Sequence, residues 1–319
     1  MLQYFSMLNK QDLLSPHLKA VVQALFVTFL WSTSWVIIKV GLKDIPALTF
    51  AGLRYGLAFL CLLPFALRSS QFRQIRKLSS KDWLLLSLLG ILFYAVTQGA
   101  QFVGLVFLPA VTTSVLLNFT SLVVAVLGIL FLDERPTLLQ WYGVGLFILG
   151  VVFYFFPIQF PAQQLVGILI VLIGVIANAF SSILGRAINR ARVTSPLLVT
   201  IISMGIGSIL LLIGGIGFQG LPGLSLTNWL YIAWLAVVNT AFAFTLWNHT
   251  LQELSAMEST VINGTMLIQI AVLAWIFLDE GLNPQEIFGM LLAGIGAVLV
   301  QYRRKVERSL SPEPDISTD

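Results

Sequence analysis

Among the charged side chains inside or at the ends of long apolar runs, Lys39, Arg54 and Glu258 could do chemistry. Arg54 lies about eight residues past Pro46, roughly 12 Å along a helix starting there, and a cation at that depth in a bilayer needs a partner or a wet cavity. Two chemistries suit it: a structural arginine bound to carbonyls or an acid within a helix bundle, or direct contact with an anionic group of a substrate. Lys39 lies within a turn of the end of its run, where it can snorkel to the interface or take part in coupling. Glu258 is a candidate coupling carboxylate. It also ends the tetrad Ser255-Ala256-Met257-Glu258, which reads as a capping box with no proton chemistry. His249, beside Trp247 and Asn248, reads as part of an interfacial belt.

Uncharged polar residues recur at helical spacing in the same runs: Thr28, Ser32 and Trp35; Tyr94, Gln98 and Gln101; Ser114, Asn118 and Ser121; Asn178 and Ser182; Thr265 and Gln269. An amide facing lipid would stay unpaired, so such stripes face other helices or water. Either they are interhelical hydrogen-bond glue, or they line a central pocket with an aromatic wall from Trp35 and Tyr94. On the pocket reading the substrate-binding candidates are Trp35, Arg54, Tyr94, Gln98, Asn118, Asn178 and Gln269, with Lys39 and Glu258 as coupling candidates. No set of residues reads as catalytic or metal-binding, and no cofactor is expected.

The elements that must hold these residues are membrane helices. Of 319 residues 58% are hydrophobic and only 10% charged, against about a quarter charged in soluble domains. Apolar runs close to the roughly twenty residues that cross a bilayer recur at 20–41, 46–67, 83–105, 108–131, 137–156, 163–186, 195–217, 227–250, 255–278 and 285–302. Alternating β-barrel segments are missing, which leaves an all-α protein of ten spans. The single cysteine, Cys61, rules out an intrachain disulfide. The net charge of +4 comes from basic residues in short loops, a topogenic pattern rather than a nucleic-acid surface. Placing both termini in the cytoplasm puts Arg73, Arg76, Lys77, Arg135, Arg190, Arg192, Arg303 and Arg304 inside. Lys39 and Lys43 are then left at the outer face.

The chain repeats itself. Residues 108–153 align without a gap to residues 254–299 at a constant offset of 146, matching Phe131-Leu132-Asp133-Glu134 to Phe277-Leu278-Asp279-Glu280 and Gly143 and Gly150 to Gly289 and Gly296. Five spans per half is an odd number, so the second half enters the membrane inverted. Inverted repeats build carriers with a site at the midplane between the halves. The acidic pairs read as turn chemistry at helix N-termini, and the small faces around Gly143, Gly150, Gly289, Ala293 and Ala297 as close packing, within one protomer or between two.

These features resemble the EamA-like transporters of the drug/metabolite transporter superfamily. The resemblance rests on the duplication, on Leu-Trp-Ser-Thr-Ser-Trp at 30–35, Ile-Lys-Val-Gly-Leu at 38–42, Leu-Arg-Tyr at 53–55 with Ala58, and both acidic hairpins. It spans about residues 20–301 and implies two five-helix repeats, 20–156 and 163–301, between a cytoplasmic segment at 1–19 and a tail at 302–319. The function it implies is alternating-access transport, mostly export, of small metabolites such as amino acids across the cell membrane. The family often carries a proline in the fourth and ninth spans, where this chain reads Asn118-Phe119-Thr120-Ser121 and Gly264-Thr265-Met266, so the resemblance does not define helix shape there. A small-molecule substrate, the bilayer and a possible homodimer are the partners expected, with no nucleic acid. Two other readings fit less: a multispan enzyme acting on lipid or headgroups has no cluster of catalytic groups, since His17 and His249 are the only histidines, and a receptor or scaffold would need longer loops.

Overall fold

Among the described residues ten helices are long and apolar enough to cross the bilayer, and local caps help to set where they start. The computed structural model describes residues 15–68, 72–132, 136–157, 161–191, 195–254 and 256–301. The spans are α1 (Pro16–Gly41), α2 (Ala47–Leu67), α3 (Ser80–Phe107), α4 (Ala110–Leu130), α5 (Leu138–Phe155), α6 (Ala162–Asn189), α7 (Pro196–Gln219), α8 (Leu226–Trp247), α9 (Glu258–Leu278) and α10 (Pro284–Gln301). The Ser15 hydroxyl accepts from Leu18 N with Pro16 opening the helix, so α1 begins four residues ahead of the apolar run. Capping boxes of Ser79 with Asp82 and Thr137 with Gln140 start α3 and α5. Ser195 before Pro196 starts α7.

The two halves, α1–α5 and α6–α10, exchange partners. The first helix of each half packs on the third and fourth of the other: α1 against α8 and α9, α6 against α3 and α4. The second helices, α2 and α7, pair with each other, as do the fifth, α5 and α10. Pairing of equivalents with equivalents is what a two-fold axis between the halves produces. With an odd number of spans per half, that axis lies in the membrane plane. The small faces settle on one protomer: Gly143 lies on Gly296 and Gly150 on Gly289. A Cβ at Gly143 would sit 2.7 Å from Val300 N, so the two backbones touch and only glycine fits.

Two irregularities recur in both halves. The α-helical hydrogen-bond ladder of α3 widens to a π-helix at Gly90–Gln98, and that of α8 at Val237–Phe242. In each, a threonine hydroxyl donates to the carbonyl five residues back, Thr97 to Leu92 O and Thr240 to Leu235 O, both at 2.8 Å. Such π segments occur often at functional sites. The fourth helix of each half is broken at its middle, α4 at Asn118 and α9 at Thr265. The family's proline is not needed for this. Asn118 Nδ2 donates to Ser114 O at 2.8 Å and Thr265 Oγ1 to Ile262 O at 2.6 Å, and side chains that bond backbone carbonyls bend helices.

Candidate functional site

The widened turns of α3 and α8 bring polar groups against α2. Arg54 is only 5% exposed, and among the described residues no carboxylate pairs with it. Its Nε donates to Thr240 Oγ1 in the α8 π segment at a long 3.3 Å, and its guanidinium carbon stands 5.0 Å from the centre of the Tyr55 ring. The Tyr55 hydroxyl donates to Gln98 Oε1 at 2.6 Å, and the Tyr55 and Tyr94 rings meet edge to face at 5.4 Å. Arg54 on α2 and Tyr94 and Gln98 on the α3 π segment therefore form one cluster around Tyr55. Trp35 is buried in the same core.

The remaining binding candidates serve helix contacts. Gln269 accepts from the Ser32 hydroxyl at 3.0 Å and donates to Thr28 Oγ1 at 3.2 Å and Thr265 Oγ1 at 3.0 Å, tying α9 to α1. Asn178 Nδ2 donates to Thr120 Oγ1 at 3.2 Å, tying α6 to α4 in the other half. Asn118 bonds its own helix. Glu258 Oε1 lies 2.9 Å from His17 Nε2, both side chains about half exposed, away from the Arg54 cluster. The Ser255 cap lies outside the described residues.

Lys39 does not snorkel away from the bundle. Its Nζ donates to Leu105 O at 2.6 Å and Leu108 O at 2.7 Å, the carbonyls that close α3. It shares a cleft of about 490 Å³ with Trp275 and Glu280. Glu280 serves a helix N-terminus, as acidic turns do, but one in the opposite half: its Oε2 accepts from Ala110 N at 2.7 Å, at the start of α4. Pro109 precedes that start and offers no side-chain cap, so the second half supplies it. The equivalent Asp133 and Glu134 lie outside the described residues.

Sequence reasoning missed three contributors. Tyr55 entered only as a motif residue, and Thr240 carried no signal. Asn239, fully buried in α8, donates through Nδ2 to Leu30 O, to Thr33 Oγ1 at 3.1 Å and to Ser34 Oγ at 2.8 Å, pinning α8 to α1. A polar residue within an apolar run was the signal available for it.

The two faces of the bundle differ. Call the face carrying the start of α1 and the end of α10 the near face. On the far face, the first segment of α4 (Ala110–Leu117) packs against the second segment of α9 (Met266–Leu278). The mirror pair on the near face, Phe119–Leu132 and Ala256–Gly264, shows no comparable packing among the described residues, and each lies on α10 instead. Among the described residues, α4 and α9 thus meet across the halves on the far side and not on the near side.

A duplicated ten-helix bundle with a buried polar cluster between its halves is the architecture of a membrane carrier. Comparison with known proteins gives the family. The EamA-like transporter family profile matches residues 18–156 and 165–302, and the chain belongs to that family. An uncharacterised transporter of Bacillus subtilis, YoaV, is 28% identical over 90% of this chain and 99% of its own length. A protein of Escherichia coli named a probable amino-acid metabolite efflux pump is 25% identical over 90% of this chain and 97% of its own. A solved structure shares the fold with a TM-score of 0.65 at 14% identity, covering 88% of this chain and 96% of that one. The protein is a multi-pass transporter of the cell membrane and not an enzyme.

Proposed function

We propose that this protein exports small metabolites, amino acids or related compounds, by alternating access, with the near face in the cytoplasm. The observation that carries this reading is the one-sided closure. The halves are equivalent by sequence, yet α4 and α9 meet on one face and part on the other. Equivalent halves have an equivalent second arrangement, with the contacts exchanged, and the two differ in which face reaches the middle. The orientation follows from the lysines and arginines gathered in near-face loops. With the far face shut, the site loads from the cytoplasm. The name of the Escherichia coli relative supports the substrate class and the direction.

Counterflow tests the reading, because exchange across a membrane needs a site that opens to each side in turn. Proteoliposomes loaded with an unlabelled panel of amino acids and related metabolites are diluted into trace radiolabelled members. Transient accumulation of label above that in protein-free vesicles is the expected result. Folded protein that exchanges no member of the panel would overturn the proposal.

A further inference from the structure

The cluster around Arg54 is unusual in what it leaves unpaired. Among the described residues, the two terminal guanidinium nitrogens of Arg54, the Tyr94 hydroxyl and Gln98 Nε2 have no hydrogen-bond partner. Nor are they sealed: among the described residues the one buried side-chain polar atom with neither solvent contact nor partner is Asn239 Oδ1. Each of these groups therefore keeps a little accessible area, and the ring contacts and the Tyr55–Gln98 bond gather them around Tyr55.

Their chemistry is one-sided. A guanidinium has five N–H donors and accepts nothing. Gln98 has its carbonyl occupied by the Tyr55 hydroxyl, so its amide hydrogens are what it can still offer. The Tyr94 hydroxyl can donate as well. A buried cation with a single long bond to a threonine is poorly compensated, since several kcal/mol of desolvation per ion normally demand a counter-charge. Lys39 adds no second cation here, because its ammonium is held by two carbonyls at the end of α3. We infer that the space bounded by Arg54, Tyr94 and Gln98 is a subsite for one carboxylate of the transported molecule. The planar fork of Arg54 takes both oxygens, and the Gln98 amide and Tyr94 hydroxyl supply flanking bonds. One cation suits a monoanion; a phosphate dianion would keep half its charge unneutralised. The subsite rests on the carrier reading and deepens it, naming the group by which the cargo is held.

Phenylglyoxal modification of the purified full chain tests the subsite without any transport step. Modification at Arg54 is followed by peptide mass spectrometry, with Arg186 near the membrane surface as an internal reference. The probes are matched pairs: L-phenylalanine and its amide, phenylacetate and phenylacetamide, L-threonine and its amide, with inorganic phosphate alongside. Arg54 is expected to react, and at least one carboxylate to slow the reaction while its amide and phosphate do not. In Arg54→Gln the affinity for the protecting carboxylate should fall about 10- to 150-fold, as loss of a charged hydrogen-bonding partner does, and Arg54→Lys should recover part of it. An Arg54 that stays unmodified while Arg186 reacts would mark a purely structural arginine and overturn the inference. Protection by amides or phosphate as good as by carboxylates, or by no carboxylate at all, would overturn it equally. Counterflow can fail while Arg54 is labelled and protected, and the reverse, so the two proposals fall separately.

Discussion

Removing the Glu280 side chain should open the far face. Glu280 caps a helix that has no cap of its own, because Pro109 precedes Ala110 and Ala110 is fully buried. In Glu280→Ala the Ala110 N–H stays buried with no acceptor whenever the far face is shut. An orphaned buried donor costs about 1–3 kcal/mol, and the lost carboxylate near the helix start adds about 0.3–1 kcal/mol. In the open arrangement water can satisfy the same N–H, so the penalty falls on the closed state alone. Together, about 1.3–4 kcal/mol should raise the open population roughly 10- to 900-fold while it remains the minor state. Val111, unexposed and packed in the core cluster that includes α9, is the reporter position. On a Cys61→Ser background, Val111→Cys should react with a membrane-impermeant maleimide faster by that factor when Glu280 is alanine. The maleimide is added from the far side. An unchanged or slower rate would refute the assignment of Glu280 as the closing cap.

The same residue should make closure depend on pH. Burial pushes the Glu280 carboxyl above its ordinary range, outweighing the N–H groups of Ala110 and Val111 and the charge of Lys39. The closed state thus binds more protons than an open state in which Glu280 is solvated. Closure should strengthen as pH falls from above that raised value toward the ordinary glutamate value of about 4.3, and level off outside this window. Glu280→Gln, whose amide oxygen can still accept from Ala110, should stay closed and lose the dependence, read by the same labelling rate; Asp279 and Lys43 line the cleft as well and serve as control positions. Where α10 lies on α5, Gly289→Leu should destabilise the fold, since a Cβ there meets Tyr154 N and Gly150 O. Overpacking costs about 1–3 kcal/mol or more, and the apparent melting temperature of the purified protein should fall accordingly.

The fold was legible because the bilayer leaves few choices: ten apolar runs and one 146-residue offset carry the span count and the inversion. What the offset does not carry is which helix touches which. The exchange of α1 and α6 between halves emerges only in three dimensions. The site was legible in part. Arg54, Tyr94 and Gln98 stood out as polar groups in lipid-length runs, and they meet. Asn178 and Gln269 stood out for the same reason and each bonds a neighbouring helix, away from that cluster; a side-chain amide reads identically in either place. The π segments have no sequence signature, so the approach of Thr240 to Arg54 could not be read. Lys39 was expected to reach for water, since distance from a helix end is visible in sequence, whereas carbonyls offered by α3 are not. Glu280 was read as serving its own hairpin, and its use by the opposite half is a long-range fact.

The paired glycines of α5 and α10 act as a spine. Two backbone-to-backbone contacts seven residues apart leave those helices no room to slide or roll. On the proposed cycle, then, the halves part like the covers of a book. The bound edge keeps its spacing throughout, and the largest displacement falls on the helices farthest from it.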